Sequence, residues 1–334
     1  MSTFDHNPDD PWVVIKKNIA GCTVLAGEES LECTLAGALH NGPPRHPIRS
    51  NQRCGNETPP AVSLAVGDRV RIRRAGPQSG QIIEILPRRN CLARRSAVPM
   101  PGAHAFEQVI AANLDLLLPV LSTAAPAPTW NLLDRFLVSA ESLAIPCLVI
   151  ITKVDLGRQP DGTVDESLQA EAELYQRIGY PLLFTSAASG EGLGELQAAL
   201  HGQTAAFIGK SGVGKTSLLN ALQAGLGQRV HEVNRVTGKG RHTTTAVELY
   251  RLDCGAALVD TPGIREFGLW DVDAADLALY FPEMRPYVGR CKFGLGCRHD
   301  AEPGCALRRA VMDGQVSSRR YQSYLKLNEE GYFE

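Results

Sequence analysis

A phosphate-binding loop at residues 206–220 constrains this chain more than any other stretch of its sequence. A short apolar run leads into a glycine-rich turn and then a helical pattern, and the letters read AFIGKSGVGKTSLLN. The turn matches GxxxxGK[ST], in which glycines let backbone N–H groups point at phosphate oxygens beside the positive end of a helix. This pattern predicts that Lys215 reaches the β and γ phosphates and that the Thr216 hydroxyl binds Mg²⁺. We expect phosphate contacts from Gly209, Lys210, Ser211, Gly212, Val213, Gly214, Lys215, Thr216 and Ser217.

Charge is distributed unevenly along the 334 residues, a length sufficient for two or three domains. The whole chain has a net charge of −2, yet the segment between Cys33 and Met100 contains eleven Arg, no Lys and three acidic residues. One segment is therefore strongly basic and the remainder is acidic.

The sequence also bears on location and redox state. The first residues do not resemble a signal peptide, and no uninterrupted apolar run is long enough to span a bilayer. We therefore expect a cytoplasmic protein with no membrane partner. The chain has nine Cys, an odd number, of which three cluster near the C-terminus. This pattern favours free thiols and one metal site over a disulfide framework.

Short alternating runs from Leu31 to Val98, separated by Gly and Pro clusters, predict a small β-barrel. In the run at 66–74, apolar residues alternate with arginines, so one face can be buried while the other presents a row of guanidinium groups, namely Arg69, Arg71 and Arg73. Residues 87–95 are expected to extend that row. Arginine without lysine favours contacts to phosphates or bases, although a solvated charged strand is the alternative. Residues 1 to 32 are interpreted as a loosely held arm, and 42–60 as a mobile loop inside the barrel.

From Phe106 onward, apolar runs alternate with helical patterns, which predicts an α/β domain with a buried, mostly parallel sheet. Strands are expected near 114–121, 146–152, 181–185, 204–208, 247–252 and 256–259. Helices are expected at 166–178, at 193–200 and after the phosphate loop. One further helix should bury the apolar face formed by Leu132, Leu133, Phe136, Leu137 and Ala140.

Two elements after the phosphate loop are typical of GTPases. Asp260-Thr-Pro-Gly263 closes an apolar run 44 residues after Thr216 and matches DxxG. In that element the aspartate holds Mg²⁺ through water, and the glycine N–H contacts the γ-phosphate. A threonine between the two elements should contact Mg²⁺ and the γ-phosphate, and Thr244 is our choice within 241–245. The alternative is a Thr-rich loop without such a role.

Guanine is normally read by [NT]KxD and by a Ser-Ala turn, and here both precede the phosphate loop. Thr152, Lys153, Val154 and Asp155 end one apolar run, and Ser186-Ala187 follows the next. The Asp155 carboxylate would accept from the N1 and N2 hydrogens of the base, and the Ser-Ala backbone would donate to O6. Both elements come where α/β proteins bind ligands, at the carboxyl ends of strands. The order of the elements is therefore rotated, as circular permutation would produce.

Three thiols and one imidazole lie within fifteen residues near the C-terminus, at Cys291, Cys297, His299 and Cys305. Such a set suits one tetrahedral structural Zn²⁺, and four protein ligands leave no open position for catalysis. The region 317–328 reads as a helix with several arginines and tyrosines. Contact with RNA and a solvated helix face are equally consistent with that helix.

This combination resembles the circularly permuted GTPases of the RsgA/YjeQ type. The resemblance rests on Leu133-Asp-Arg-Phe-Leu137, the phosphate loop, Gly240-Arg-His-Thr-Thr-Thr245 and residues 260–270. It covers the chain from about residue 33, after the arm at 1–32, and implies an OB-fold barrel at 33–100, a circularly permuted α/β GTPase domain at 101–271 and a mainly helical zinc-binding domain at 272–334. It further implies that GTP and GDP are the ligands, and that a monomer binds the small ribosomal subunit and its rRNA late in maturation and is stimulated by it.

The chain departs from the family pattern at three places. Thr152 stands where most members have Asn, which removes an amide that ties the base reader to the phosphate loop. The first gap between zinc ligands is one residue longer, and the loop at 42–60 is longer than usual.

Catalysis needs a group that positions the attacking water. Ras-like enzymes use a Gln just after DxxG, but this chain has Ile264, which can neither donate nor accept a hydrogen bond. His242 is our candidate, and an ordinary loop histidine is the alternative. A different class of function also stays open at this stage, namely a nucleic-acid-binding module gated by ATP, in which the match at 152–155 is accidental.

Overall fold

The computed structural model describes residues 11–17, 21–37, 64–95, 107–159, 162–224, 247–260 and 272–330. Contacts divide the chain into two compact units. The first unit comprises 1–116, 194–207 and 219–264, and the second comprises 117–193, 208–218 and 265–334. The domain boundaries expected from the sequence near residues 100 and 271 stay predictions.

Five strands of the first unit close into a barrel. They are β1 (Trp12–Lys17), β2 (Cys22–Ala26), β3 (Glu29–Leu35), β4 (Arg69–Gly76) and β5 (Ser79–Ile85). The pairing order β1-β2-β3-β5-β4 returns to β1. This is the five-stranded arrangement of the OB fold. Alternate residues point inward and form its core, including Val14, Val24, Leu31, Val70 and Ile82.

The barrel starts earlier than the sequence analysis predicts. Strands β1 and β2 lie within the stretch interpreted as a loosely held arm, and both pair inside the barrel. That interpretation is wrong for residues 12–17 and 22–32, because alternate residues there are buried against the barrel core. Residues 1–10 and the predicted loop at 42–60 lie outside the described residues.

Strand β4 carries the predicted row of arginines. Arg69, Arg71 and Arg73 are exposed, whereas Val70 between them is fully buried. Arg71 lies 3.5 Å from Glu84 on β5. Within the part of the chain that the structure describes, no ion pair forms at Arg69 or Arg73.

The prediction that residues 87–95 extend this row is wrong at Arg88, and nothing is described of the side chains of Arg94 and Arg95. Arg88 donates to both carboxylate oxygens of the buried Asp68, at 2.6 and 2.8 Å. Arg89 pairs with Asp115 at 2.7 Å. These acids are 20 and 26 positions away along the chain, so local sequence gives no sign of them.

The sheet of the barrel continues into strands of the α/β domain. Strands β6 (Cys91–Arg95) and β7 (Glu107–Ala112) form a separate pair. Strands β11 (Thr204–Ile208), β12 (Glu248–Arg251) and β13 (Ala257–Asp260) join the barrel in the order β11-β13-β12-β1. β11 and β13 run parallel, and β12 is antiparallel to β13. The helix α3 (Leu193–Leu200) precedes β11 as predicted.

The second unit contains a parallel sheet and two long helices. The sheet order is β10 (Leu182–Phe184), β9 (Val149–Thr152), β8 (Leu116–Ser122). The helices are α1 (Trp130–Ser142) and α2 (Glu166–Ile178), and α1 buries the predicted apolar face except for Leu132, which is half-buried. α2 begins after Asp165, whose carboxylate accepts from Ser167 N and Leu168 N. These elements confirm the predicted α/β class.

The C-terminal part of this unit is held by two helices, α5 (Ala306–Met312) and α6 (Ser318–Glu329), and by single 3₁₀ turns. Its apolar core includes Phe281, Met284, Leu307 and Tyr324. Among the helices described, none combines the length and the apolar character that a membrane span requires.

A buried ion network joins α6 to α1. Arg320 is fully buried and donates to Asp134 at 2.6 Å and to both carboxylate oxygens of Glu283 at 2.7 and 2.9 Å. Arg319 donates to the other Asp134 oxygen at 2.8 Å and to Glu171 at 2.9 Å. Neither interpretation of α6 holds for Arg320, whose guanidinium group is fully buried, and the partly exposed Arg319 is committed to Asp134 and Glu171.

The cysteines largely follow expectation. Cys22, Cys33, Cys147 and Cys254 are free thiols. Cys91 is disulfide-bonded, so the expectation of free thiols outside the metal site is wrong there.

Candidate functional site

The phosphate loop has the geometry that its sequence predicts. It lies between the end of β11 at Ile208 and the start of the helix α4 (Lys215–Leu222). Gly209, Gly212 and Gly214 have φ of 154°, 83° and 97°. A Cβ on Gly209 would lie 2.5 Å from the Val120 carbonyl oxygen, so no larger residue fits there. Gly209 therefore has to be a glycine, and Gly212 and Gly214 have the left-handed backbone that glycine adopts readily.

The lysine of the motif lies against its own loop. Lys215 Nζ donates to the carbonyl oxygens of Gly209 at 2.6 Å and Lys210 at 2.8 Å. The ammonium group is thereby held at the N-terminal end of α4, where the helix dipole also favours an anion. Lys210 itself donates to Thr129 Oγ1 at 3.1 Å, just before α1 begins.

The two predicted base-reading turns lie side by side at the carboxyl ends of β9 and β10. Ser186 Oγ donates to Asp155 Oδ1 at 2.6 Å, and Val154 N donates to the Thr185 carbonyl at 3.3 Å. Ser186 Oγ also accepts from Ala188 N and Ser189 N. These bonds fix one oxygen of an otherwise exposed carboxylate. The other oxygen and the backbone of the Ser-Ala turn can face a common ligand.

Lys153 joins the base-reading turn to the phosphate loop. It has a left-handed backbone, with φ of 59°, and its ammonium donates to the Gly212 carbonyl at 2.7 Å. It also donates to the Ala125 carbonyl, in the loop that precedes α1. A positive φ is uncommon for a residue with a side chain. All these residues belong to the second unit, so one compact body contains the base-reading turns and the phosphate loop.

The Thr152 side chain contacts the phosphate loop, although the sequence suggests that this contact is lost. Its hydroxyl is buried and has two acceptors, the carbonyl oxygens of Val213 in the phosphate loop and of Leu121 on β8, the latter at 3.1 Å. A hydroxyl carries one proton, so it satisfies one acceptor at a time. The expected loss of a tie to the phosphate loop is therefore wrong, because the hydroxyl replaces the amide.

We expect Thr152→Val to weaken GTP binding roughly 5- to 30-fold, because one buried hydrogen bond is lost and a loop carbonyl loses its donor at a cost of about 1–2 kcal/mol. Thr185→Val is the matched control, since the Thr185 hydroxyl contacts the Ile151 carbonyl at 3.4 Å and not the phosphate loop. Equilibrium titration with a fluorescent GTP analogue measures both. Equal affinities for the two variants would show that the Thr152 link is dispensable.

Several predicted site residues cannot be placed. Asp260 ends β13 in the first unit, but nothing is described of its side chain. His242, Thr244 and Gly263 lie outside the described residues. Their roles at Mg²⁺, the γ-phosphate and the attacking water stay predictions.

The four predicted metal ligands come together. The donor atoms of Cys291, Cys297, His299 and Cys305 all lie within 4.8 Å of one another, and all four residues are buried. The Sγ atoms of Cys291 and Cys305 are 3.8 Å apart, and His299 Nδ1 lies 3.4 and 3.5 Å from them. Around tetrahedral zinc, bonds of about 2.3 Å to sulfur and about 2.0 Å to nitrogen place sulfurs about 3.8 Å apart and sulfur about 3.5 Å from nitrogen. The donor set and its spacing therefore fit Zn²⁺.

Outer contacts hold these ligands in place. Ala306 N donates to Cys291 Sγ at 3.2 Å and Arg308 N donates to Cys305 Sγ at 3.4 Å, as thiolates require. Tyr321 and Tyr324 of α6 donate to the carbonyls of His299 and Arg298, at 2.7 and 2.8 Å. From the sequence alone both tyrosines are candidates for RNA contact, yet in the structure both hydroxyls support the metal loop.

Two contributors to the site escaped the sequence analysis. The loop at 123–129 supplies the Ala125 carbonyl to Lys153 and the Thr129 hydroxyl to Lys210. Asp134 accepts hydrogen bonds from Arg319 and Arg320 of the C-terminal helix α6. Its sequence signal is the stretch Leu133-Asp-Arg-Phe-Leu137, on which the family resemblance partly rests.

Comparison with known proteins agrees with this geometry. The family model described as RsgA GTPase matches residues 85–270. A protein of Gemmatimonas aurantiaca named small ribosomal subunit biogenesis GTPase RsgA is 44% identical over 83% of this chain and 88% of its own length. A protein of the same name from Azotobacter vinelandii is 44% identical over 78% of this chain and 73% of its own.

Solved structures give the same result. The crystal structure of YjeQ from Thermotoga maritima is similar with a TM-score of 0.73 and 29% identity, covering 96% of this chain and 98% of that one. The crystal structure of YloQ, described as a circularly permuted GTPase, has a TM-score of 0.69 and 28% identity over 99% of this chain and 97% of its own. The chain therefore belongs to the RsgA GTPase family and is a circularly permuted GTP hydrolase.

Proposed function

We propose that this GTPase binds the small ribosomal subunit and its rRNA, acts late in maturation of the subunit, and hydrolyses GTP faster when bound to it. The relatives are named small ribosomal subunit biogenesis GTPases, which supports the choice of partner. The observation that carries the proposal for this chain is the exposed arginine row of β4 on a closed OB-fold barrel. We further propose that the protein acts as a cytoplasmic monomer.

The arginine row suits a polyanionic partner. Arg69 and Arg73 extend from the same face of β4, and no acid within the described residues neutralises them. A guanidinium fork can bind a phosphate through two parallel hydrogen bonds, and the OB fold is an architecture that binds nucleic acid. Phosphate contacts of this kind give affinity that falls steeply as salt increases.

GTP and GDP are the nucleotides, and the proposed roles follow the motifs. Asp155 reads the base, while Lys215 and the loop N–H groups hold the phosphates. Thr216, Thr244 and, through water, Asp260 hold Mg²⁺. The zinc set is closed, with four protein ligands, and would stabilise the C-terminal fold without taking part in hydrolysis. The alternative of an ATP-gated module is disfavoured because the chain belongs to a GTPase family, and the contact of the turn at 152–155 with the phosphate loop supports a role for that turn in nucleotide binding.

His242 is our proposal for the residue that orients the attacking water, because Ile264 stands where Ras-like enzymes have Gln. We expect His242→Ala to lower subunit-stimulated turnover roughly 100-fold, within the usual range for a general acid–base group, and to leave GTP affinity unchanged. Single-turnover GTP hydrolysis with purified small subunits measures the first and equilibrium titration the second. Full stimulated turnover in the variant would remove His242 from this role.

Measuring GTP turnover with and without purified small subunits tests the proposed function. We expect slow turnover alone and turnover at least about tenfold faster with subunits, because binding orders the catalytic segments. Purified large subunits serve as the control for RNA of similar charge. Equal stimulation by both subunits, or by neither, would contradict the proposal.

A further inference from the structure

Strand β1 contacts both the arginine strand and the GTPase sheet. Near its start, Trp12 and Val13 pair with Val70 and Arg69 of β4. Near its end, Lys16 pairs with Glu248 of β12. One strand of six residues therefore connects the proposed RNA-binding face to a strand of the α/β domain, and all three strands belong to the first unit.

Side chains reinforce the link between the barrel and β12. Lys16 Nζ lies 3.3 Å from Glu248 Oε2, and the Glu248 side chain is only 18% exposed. At the other end of β12, Arg251 donates to the Gly27 carbonyl in the turn between β2 and β3. Both ends of a four-residue strand are thus held by the barrel.

Strand β12 in turn sets the position of the strand that ends in the DxxG aspartate. β12 pairs with β13 at four successive positions, and Glu248 lies directly opposite Asp260. Lys16, Glu248 and Asp260 therefore occupy one row across three adjacent strands. Because paired strands keep their spacing and register, a displacement of β1 moves this row as a whole. Displacements of about 1 Å at a catalytic group are enough to change a rate substantially.

We propose that β1 couples nucleic acid binding on the barrel to the catalytic centre, and that Lys16 and Glu248 are positioning residues for stimulated GTP hydrolysis. This inference rests on the proposed function. Neither residue contacts nucleotide or RNA in this role. Through their ion pair, a displacement of the barrel displaces the end of β13, where Asp260 is proposed to hold Mg²⁺ through water.

The test separates binding from stimulation. Lys16→Met keeps the aliphatic stem and Glu248→Gln keeps the shape, so each removes the ion pair with little change in packing. We expect each to lower the stimulation of GTP turnover by saturating small subunits about threefold, the usual size for a partly exposed pair. Subunit affinity and turnover without subunits should stay within twofold of wild type. The double variant should be no worse than either single one, and Lys16→Glu combined with Glu248→Lys should recover part of the stimulation.

Two further variants test whether the effect is specific to the link between the barrel and β12. Glu84→Gln breaks an ion pair of 3.5 Å in the same barrel that does not contact β12, and should leave stimulation unchanged. Arg251→Met removes the second link and should lower stimulation as Lys16→Met does. Unchanged stimulation in Lys16→Met, Glu248→Gln and Arg251→Met would overturn the inference, and so would a loss of subunit affinity in place of stimulation. Wild-type protein that subunits do not stimulate would overturn both this inference and the proposed function.

Discussion

Asp155→Asn is expected to weaken GTP binding roughly 100-fold or more and to improve binding of xanthosine triphosphate. In its proposed role the carboxylate accepts two hydrogen bonds from the N1 and N2 hydrogens of guanine, and each bond to a charged group contributes about 1.5–3 kcal/mol. An asparagine amide cannot accept both. It can accept from N1 and donate to the oxygen that xanthine carries in place of the amino group. The variant should therefore prefer xanthosine triphosphate to GTP.

The structure indicates that Asp155→Asn can keep the hydrogen bond with Ser186. Ser186 donates to one carboxylate oxygen at 2.6 Å, and an asparagine placed with its amide oxygen there keeps that bond. Glu191→Gln is the matched control, because Glu191 is a half-buried acid in the neighbouring turn whose side chain pairs with Arg158 and not with the proposed base site. Competition titrations with GTP, xanthosine triphosphate and ATP measure the effect. Unchanged preference in Asp155→Asn would mean that the base is read elsewhere.

Asp134→Ala is expected to destabilise the second unit by about 3–5 kcal/mol, because it leaves Arg320 buried with one carboxylate fewer. Asp134 is fully buried and accepts from Arg319, Arg320 and Tyr175. Burial, together with the Asp134 carboxylate, holds the pKa of Tyr175 well above its usual value, so its hydroxyl remains a donor. For a unit of this size we expect the thermal midpoint to fall by roughly 6–20 °C.

The measurement needs a probe of the second unit alone. Zinc release detected with a chromogenic chelator during heating reports this unit, because α6 carries both the arginines of the network and the tyrosines that hold the metal loop. Glu173→Gln is the control, since Glu173 is exposed and pairs weakly with Arg177 at 3.9 Å on α2. Its midpoint should stay within about 2 °C of wild type. A wild-type midpoint in Asp134→Ala would show that the network does not stabilise this unit.

The features predicted well from the sequence are those that depend on local spacing. The strand, glycine turn and helix of the phosphate loop form where GxxxxGK[ST] indicates, because the glycines and the helix start are encoded within fifteen residues. The four metal ligands converge for the same reason. The two base-reading turns follow strands β9 and β10 as expected, since buried strands are recognisable as apolar runs.

The features that the sequence does not predict depend on contacts between residues far apart in the chain. Arg319 and Arg320 look like surface residues of a helix, and their acids lie 37 to 186 positions upstream. The sequence similarly places Arg88 in the RNA-binding row, because its partner Asp68 lies 20 positions away along the chain. Strand β1 is short, and its contacts with β2, β4 and β12 involve residues that no local pattern identifies.

The central claim is that turns from the earlier half of the chain and a loop from the later half hold one guanine nucleotide between them. The most direct measurement is a crystal structure with Mg²⁺ and a non-hydrolysable GTP analogue. We predict that the Asp155 carboxylate accepts from the base while Lys215 contacts the β and γ phosphates of the same molecule. Phosphates bound at the loop with the base turned away from Asp155 would contradict it.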